Sequence, residues 1–254
     1  MQYLYLMKRM AVVAILVSFF TTCDKTDNSF YVSPDQFPTS AETKSPFNNT
    51  TFGVYKGVII GSSGTIVIRI NNGDDIVKGY LSADNSFDTL SASQSVQLSQ
   101  PIADLKFTGK FSSMTLSADA DGSHASLSNI SINGHDKVAG IVVHENSNLQ
   151  VQCFEGTFSG GLSGIMNLVK IGATDKSAPL YLLEKFDIDT VFYRGTGVLD
   201  NDTLATTHYF YDNGNPYRTF SGKGKFGDDI FSGSWSSWSP SGTSNGTFVC
   251  KRTW

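Results

Sequence analysis

The chain has 254 residues, a formal net charge of −4 and only 17% charged side chains. A mildly acidic chain without a basic stripe lacks the electrostatic footprint of a nucleic-acid-binding protein, so we exclude a nucleic-acid partner. Glycine, serine and threonine are plentiful and aromatic residues make up 12% of the chain, a composition that favours strands and tight turns over helices.

The N-terminal residues have the pattern of a secretory signal peptide. Lys8 and Arg9 supply positive charge, and an apolar run from Met10 to Phe20 follows, broken only by Ser18. This run is well short of the roughly 20 apolar residues that a membrane-spanning helix needs, but it has the length of a signal-peptide core. We therefore predict a signal peptide over residues 1–22.

The end of the apolar run resembles the processing site of bacterial lipoproteins. Phe20-Thr21-Thr22-Cys23 places a cysteine directly after the signal-peptide core. The resemblance covers these residues alone and implies that Cys23 becomes the lipid-modified first residue of the mature chain. Several acyl chains, at about 0.8 kcal/mol per buried CH₂ group, would then hold the protein stably on a membrane.

The resemblance also implies a location. It places the mature protein at the outer membrane of a Gram-negative bacterium, in contact with the membrane through its lipid anchor. The charged stretch from Asp24 to Asn28 is similar to the sorting signal of lipoproteins exported to the cell surface. Both the periplasmic face and the surface of that membrane stay open as the final position.

Residues 23–50 and 51–254 differ in composition. The first range carries Pro34, Pro38 and Pro46 among polar residues and has little apolar periodicity, which predicts a flexible tether. The second range is predicted to be a β-rich domain, with a subdivision near residues 145–180 if it consists of two β subunits.

Period-two alternation runs through the predicted domain. Ile66, Ile68 and Ile70 share one face of a predicted strand, and Asn-Gly or Asp-Gly turns between such runs favour hairpins of antiparallel strands. These turns are Asn72-Gly73, Asp121-Gly122, Asn133-Gly134 and Asn213-Gly214. The pattern predicts an all-β fold, an antiparallel meander arranged as a barrel or a sandwich.

A second regularity is an aromatic residue followed two positions later by glycine, so that both lie on one face of a strand. The pairs are Tyr55 and Gly57, Phe107 and Gly109, Phe154 and Gly156, Tyr193 and Gly195, Phe220 and Gly222, and Phe231 and Gly233. Such glycines serve either strand curvature and core packing or close approach of a ligand to the backbone. We favour curvature and packing.

The sequence contains no assembled catalytic or metal-binding motif, so we predict no cofactor and no metal and leave the catalytic residues unassigned. Asp119, Asp121 and His124 are similar to the start of a calcium loop but lack its closing glutamate, and a hairpin turn accounts for them. The carboxylates considered for glycoside hydrolysis lie in turn-like contexts. They are Asp187, Asp189, Asp200 and Asp202.

Three aromatic residues are candidates for ligand contact. Tyr209 and Tyr211 share one face of a predicted strand, where they either stack on a sugar ring or pair across strands without a ligand. Trp235 and Trp238 are three positions apart and therefore point to opposite faces; we predict that Trp235 is in the core and Trp238 exposed. Trp254 is predicted to close the last strand on the core face.

Two cysteines remain besides Cys23. Cys153 and Cys250 both lie in strand-like contexts, where they either form a disulfide, which an oxidising compartment allows, or are separate buried thiols. The sequence leaves both arrangements open.

We predict a binding or interaction module of the cell envelope rather than an enzyme, with carbohydrate, a small apolar ligand or another envelope protein as the candidate partner. The glycine-rich meander resembles calycin-type barrels such as avidins and lipocalins, which implies as an alternative a barrel that holds a small apolar ligand. The second alternative is a surface hydrolase that acts on glycans. These alternatives predict different sites: an exposed aromatic surface, a hollow barrel interior, or a pair of carboxylates.

Overall fold

The computed structural model describes residues 37–172, 179–187, 192–200, 203–212, 215–227 and 229–254, and within them the side chains of Pro179, Tyr193 and residues 198–220 are not described. Sixteen strands in these ranges form two sheets in which every neighbouring pair is antiparallel. The predicted all-β antiparallel fold is therefore confirmed. No helix in the described part of the chain is long and apolar enough to cross a membrane.

The first sheet contains eight strands. They are β1 (Gly53–Ile60), β2 (Gly64–Ile70), β3 (Val77–Ala83), β4 (Ser86–Ala92), β5 (Ile102–Thr108), β6 (Ser112–Ala118), β7 (Ser126–Ile132) and β8 (Ala139–His144). Their hydrogen-bonded order is β7-β6-β5-β4-β3-β2-β1-β8. The meander runs in chain order as far as β7, but β8 pairs with β1, so that β7 and β8 are the two edges of the sheet.

The second sheet closes into a barrel of eight strands. They are β9 (Val151–Gly160), β10 (Gly164–Ile171), β11 (Pro179–Phe186), β12 (Tyr193–Asp200), β13 (Thr203–Asp212), β14 (Asn215–Phe226), β15 (Ile230–Ser239) and β16 (Gly242–Arg252). Consecutive strands are neighbours, and β16 pairs back to β9. The two sheets are joined in sequence by residues 145–150.

Each sheet has its own apolar core. The core of the first sheet contains residues such as Tyr55, Ile68 and Phe107. Aromatic rings pack together in the described part of the barrel interior. The ring centroid of Phe158 lies 5.1 Å from that of Phe186 and 5.9 Å from that of Trp235, both in edge-to-face geometry, which is a favourable arrangement of ring quadrupoles. Side chains that alternate along each strand therefore supply both cores.

The two sheets pack on each other through β1, β2 and β8 on one side and β9, β10 and β11 on the other. As a result β1 is buried along its whole length. Its even-numbered residues face the barrel, and among them Lys56 is fully buried. The Lys56 ammonium lies 2.7 Å from the Glu145 carboxylate and 2.9 Å from that of Glu42.

Hydrogen bonds complete this junction between the sheets. The hydroxyl groups of Ser63 and Thr65 donate to the two oxygens of Glu155, at 2.9 and 2.7 Å. The Asn167 amide, in β10, donates to the carbonyl oxygen of Ile59, in β1, at 2.6 Å. Polar groups buried in this way are stable only when they are paired, so the junction requires both sheets.

Residues 37–50 lie against the junction. Glu42 and Thr43 donate their backbone N–H groups to Glu145, and Glu42 accepts a hydrogen bond from the Trp254 indole at 2.9 Å. Trp254, which follows β16, is buried as predicted, and its indole lies at the junction and is not part of the core cluster of the barrel. The predicted tether begins before residue 37, outside the described residues, and its bounds stay a prediction.

The predicted turns have different outcomes. Asn72-Gly73 and Asp121-Gly122 lie in the connections of the hairpins β2–β3 and β6–β7. Asn133-Gly134 forms a tight turn that is closed by an antiparallel bridge between Ile132 and His135. Beyond that bridge β7 and β8 do not pair, so the prediction that they are neighbouring strands is wrong; β8 pairs with β1 instead. Asn213-Gly214 lies outside the described residues, although its flanking residues Asp212 and Asn215 pair directly.

Candidate functional site

The predicted ligand-contact residues lie on the barrel. Trp238, at the end of β15, has 49% of its surface exposed, whereas Trp235 is 2% exposed in the barrel core, as their spacing predicts. Tyr209 and Tyr211 belong to β13, but their side chains lie outside the described part of the structure. The lipid-attachment candidate Cys23 lies outside it as well.

Trp238 lies on a continuous outer face of the barrel that we call the hydroxyl face. It consists of the exposed outward polar residues Thr157, Ser159, Ser232, Ser234, Ser236, Thr243, Asn245 and Thr247, on β9, β15 and β16, and includes the exposed apolar Val249 between Ser232 and Thr157. These residues alternate with the aromatic core residues because successive side chains of a strand point to opposite faces. The hydroxyl face is thus the outer surface of the strands that form the core.

Register aligns the polar groups of this face into rows. Ser234 lies opposite Thr247, which lies opposite Ser159, and Ser236 lies opposite Asn245. In the next row Trp238 lies opposite Thr243 on one side and opposite Thr219 on the other. Neighbouring members of a row are roughly 4.8 Å apart, and successive rows about 7 Å apart. The result is a regular array of neutral hydrogen-bonding groups beside one indole ring.

The backbone of Tyr209 lies in the same row as Trp238, since Tyr209 is opposite Thr219. The register of β13 against β14 shifts between Phe210 and Tyr211. The row that contains Tyr211 is therefore not in regular register with the row that contains Tyr209. The structure therefore brings Tyr209 and Trp238 into one row, which the sequence did not predict.

Both signs of charge occur along the strands of the hydroxyl face, since Glu155 of β9 lies opposite Lys251 of β16. Lys223, Lys225 and Lys251 occupy outward positions of β14 and β16. Lys223 lies opposite Ser234 and Lys225 opposite Ser232, whereas Lys251 lies opposite Ile230 at the end remote from Trp238. No aspartate or glutamate occupies a described outward position of β14, β15 or β16. Around Trp238 itself the described side chains are neutral.

A groove of about 800 Å³ lies along β8. Its walls are the turn between β6 and β7, the strand β8, and the strands β11 and β12 of the barrel. Among its lining residues are Asp121, His124, Val142, His144, Tyr181 and Arg194. Its volume falls in the range of about 300–1,000 Å³ that is usual for ligand pockets.

The turn that sequence analysis compared with a calcium loop lies at this groove. His124 Nδ1 is 2.7 Å from the Asp119 carboxylate, but both side chains are exposed, at 84% and 62%. The Asp119 carboxylate raises the pKa of His124. Asp121 accepts a hydrogen bond from the backbone N–H of Ser123 at 2.9 Å. In the described residues no three His, Cys, Asp or Glu side chains are close enough to hold a metal ion.

His144 lies at the end of β8, in a largely buried position. Its Nε2 is 2.8 Å from the carbonyl oxygen of Phe52, and a neutral imidazole that carries its proton on this nitrogen donates to that oxygen. Burial lowers the pKa of His144 despite this hydrogen bond. The imidazole is thus held neutral and is part of the packing of Tyr55, whose ring centroid is 4.6 Å away.

The structure does not bring the four candidate carboxylates together. Asp187 is exposed and accepts a hydrogen bond from Ser163 at 2.5 Å. Asp189 and Asp202 lie outside the described residues, and the side chain of Asp200 is not described. No pair of them can be assigned as acid and base on described geometry.

Sequence analysis missed two surface features that are candidate binding sites. The serines of β15 alternate with core residues in the sequence, so the hydroxyl face could have been found from period two alone. The exposed edge of β8 could not, because it depends on which strand β8 pairs with. No protein-family model, no curated protein and no solved structure matches this chain.

Proposed function

We propose that this chain is a lipid-anchored protein of the bacterial cell envelope that binds a neutral carbohydrate on its hydroxyl face, without turning it over. The observation that carries the proposal is the half-exposed indole of Trp238 at the end of rows of neutral hydrogen-bonding side chains. The anchor on Cys23 rests on the resemblance of residues 20–23 to lipoprotein processing sites.

The chemistry of the face matches that of a sugar. A sugar ring presents C–H groups on its faces and hydroxyl groups around its rim. The indole of Trp238 offers a flat apolar surface for the C–H groups, and its polar N–H end is typical of aromatic residues at binding surfaces. Thr243, Ser236 and Asn245 offer donors and acceptors for the rim, and none of the three forms a side-chain hydrogen bond to another described residue.

Charge favours a neutral glycan over an anionic one. The described side chains next to Trp238 carry no charge, and Lys223 and Lys225 lie two and three rows away from it on β14. An anionic glycan would be drawn toward the lysines instead, and its affinity would fall steeply as salt rises. Binding of a neutral glycan near Trp238 is expected to be insensitive to salt.

The glycan proposal is tested by calorimetry of the full chain with neutral hexasaccharides of glucose, mannose and xylose. Trp238→Ala is expected to weaken binding roughly tenfold or more, as removal of a central aromatic contact does, and Trp238→Tyr to restore much of it. Ile230→Ala is the matched control, because Ile230 is a similarly exposed apolar residue at the far end of β15. Absence of binding to every saccharide, or equal losses in Trp238→Ala and Ile230→Ala, would contradict the proposal.

The anchor is tested separately with Cys23→Ala. We expect this variant to lose incorporation of a fatty-acid probe and to leave the membrane fraction, while the unsubstituted chain retains both. A variant that still carries the probe and still sediments with membranes would show that the anchor is elsewhere.

The calycin-like alternative ranks second. It needs a hollow barrel, whereas the described inward side chains of the barrel, such as Phe158, Trp235 and Phe248, pack against one another. The hydrolase alternative ranks third, because it lacks a described pair of carboxylates. Release of reducing sugar from any of the hexasaccharides by the full chain would favour the hydrolase over the binding protein.

A further inference from the structure

We propose that β8 is a second binding site, which takes an extended polypeptide segment as an additional strand along its outer edge. The segment would lie in the groove between the β6–β7 turn and the barrel. This inference is independent of the glycan proposal, since it concerns the opposite sheet and none of the residues of the hydroxyl face.

The first observation is that β8 is an edge. It pairs with β1 through Tyr55 and His144 at one end and through Ile60 and Ala139 at the other. On its other side no strand in the described residues pairs with β8; β7, which precedes it in the chain, forms an isolated bridge from Ile132 to His135 in the connecting loop and does not pair with β8 itself. Unpaired edges of sheets are sites of strand addition unless they are covered or charged.

The second observation is the phase of the hydrogen bonds. The N–H of Glu145 donates to the carbonyl oxygen of Val54 at 2.8 Å. Because inward and outward backbone groups alternate along an antiparallel strand, the N–H and C=O groups of Gly140, Val142 and His144 point away from β1. They point toward the groove, which these residues line.

These outward backbone groups lack partners within the described structure, with one exception. Arg194 donates from Nη2 to the carbonyl oxygen of Gly140 at 3.2 Å. The outward groups of Val142 and His144 form no hydrogen bond with another described residue, although the Val142 side chain is buried. Backbone groups in such a position are almost always paired, and a bound strand would pair them.

The third observation is the chemistry of the groove walls. Ile141 and Val143 offer apolar contact, and the Asp121 carboxylate lines the wall formed by the β6–β7 turn. Arg194, on the opposite wall, is already engaged with β8. An extended segment with alternating apolar residues and a lysine or arginine that reaches Asp121 therefore complements this groove.

The probe is a fluorescein-labelled, acetylated heptapeptide that alternates valine and threonine around one central lysine, measured by fluorescence anisotropy with the full chain. Two further versions of the peptide carry N-methyl groups, one on the odd and the other on the even residues. Each version therefore lacks the N–H donors along one edge of the extended peptide. Strand addition predicts that one version keeps its affinity and that the other loses roughly tenfold or more. Absence of binding by the parent peptide, or equal binding of both methylated versions, would overturn the proposal.

Hydrogen exchange gives a readout that needs no variant of the protein. The amides of Val142 and His144 are expected to become protected when the parent peptide binds, whereas those of the hydroxyl face are unchanged. Protection of the same two amides by concentrated protein without peptide, together with dimer formation, would overturn the choice of partner and assign the edge to a second copy.

Asp121→Asn tests whether the carboxylate on the groove wall attracts the lysine of the bound peptide. We expect it to weaken the lysine peptide by up to about fivefold, the value of an exposed ion pair, and to leave a peptide with norleucine in place of lysine unchanged. Asp75→Asn, which removes an equal charge from the exposed β2–β3 loop, is the matched control. Trp238→Ala must keep peptide binding, so that failure of this site and failure of the glycan site are distinguishable.

Discussion

At the scale of single residues, burial determines which groups can ionise. His144 and the two cysteines occupy positions where the charged form has lost its water, so each is held in its neutral form. His124 is the counterexample, because it is exposed and its pKa is raised by Asp119. These differences follow from position in the fold and are invisible in the residue types.

The lowered pKa of His144 makes stability depend on pH. The folded chain resists a proton that the unfolded chain accepts near the ordinary pKa of about 6.5, so the stability from the neutral imidazole is present above that pH and is lost as pH falls. Between about pH 7 and about pH 5, the free energy of unfolding should fall more steeply in the unsubstituted chain than in His144→Gln. Urea unfolding at several pH values measures both slopes.

His124→Gln is the control for this prediction. Because the pKa of His124 is raised in the folded chain, its contribution is present at low pH and is lost as pH rises. Removal of the His124 imidazole therefore cannot reduce the dependence of the free energy of unfolding on pH, whereas His144→Gln is expected to reduce it. Parallel curves for His144→Gln and the unsubstituted chain would contradict the assignment.

Cys153 and Cys250 are free thiols, which decides the question that the sequence left open. They cannot pair, because Cys153 faces the junction, where its thiol lies 3.4 Å from the carbonyl oxygen of Gly57, and Cys250 faces the barrel core. Burial raises the pKa of the Cys250 thiol to about 12 and that of Cys153 further still.

We therefore expect neither Cys153 nor Cys250 to react with a thiol reagent in the folded state. Both should react once the chain is unfolded, since the thiolate is the reactive form and unfolding restores its water. Titration with a chromogenic disulfide, with and without denaturant, measures this. Rapid reaction of the folded chain, or a mobility shift on reduction, would contradict it.

At the scale of elements, glycines determine how closely strands approach. The aromatic-x-glycine pattern favours strand curvature and core packing over ligand contact, and Gly156 is an example. A Cβ at Gly156 would clash with the carbonyl oxygen of Val249 and would lie 2.5 Å from the Cα of Cys250, both on β16. The close contact of β9 and β16, which closes the barrel, therefore needs glycine here.

Gly156→Ala is expected to lower the free energy of unfolding by about 1–3 kcal/mol, because backbone of the neighbouring strand must shift to admit the methyl group. Gly227→Ala is the matched control: the nearest atom to its added Cβ, the carbonyl oxygen of Ile230, is 3.6 Å away, an ordinary contact. We expect it to change stability by less than about 0.5 kcal/mol. Similar losses in the two variants, measured by urea unfolding, would rule out the steric explanation.

At the scale of the whole molecule, a buried ionic cluster joins the two sheets. Lys56 of β1 contacts Glu145, which lies between the sheets in sequence, and Glu42 from the N-terminal segment. Although burial raises the pKa of Glu42, the Lys56 ammonium and further hydrogen bonds bring it below its ordinary value. Because these groups are buried, each depends on its partners.

Removal of the Lys56 ammonium leaves the fully buried Glu145 carboxylate without its cation. Lys56→Met is therefore expected to cost about 3–5 kcal/mol, and the loss should appear in one transition that includes both sheets. Lys78→Met, at an exposed position of β3, is expected to cost less than about 0.5 kcal/mol. Circular dichroism and tryptophan fluorescence follow the transition; a small loss in Lys56→Met, or two separate transitions, would contradict the prediction.

The sequence by itself determined the strands and their faces. Alternation and turn residues are local properties, so they predicted an antiparallel all-β fold and separated Trp235 from Trp238 correctly. The same alternation contains the hydroxyl face, since the serines of β15 occupy every second position.

Only the tertiary structure decided which strands are neighbours. The pairing of β8 with β1, the burial of Lys56 against Glu145 and the groove beside Asp121 all join residues that are far apart in the chain. Local pattern cannot specify such contacts, because they depend on which of several similar apolar faces pack together. For the same reason the row shared by Tyr209 and Trp238 became visible only when the register across β13, β14 and β15 was known.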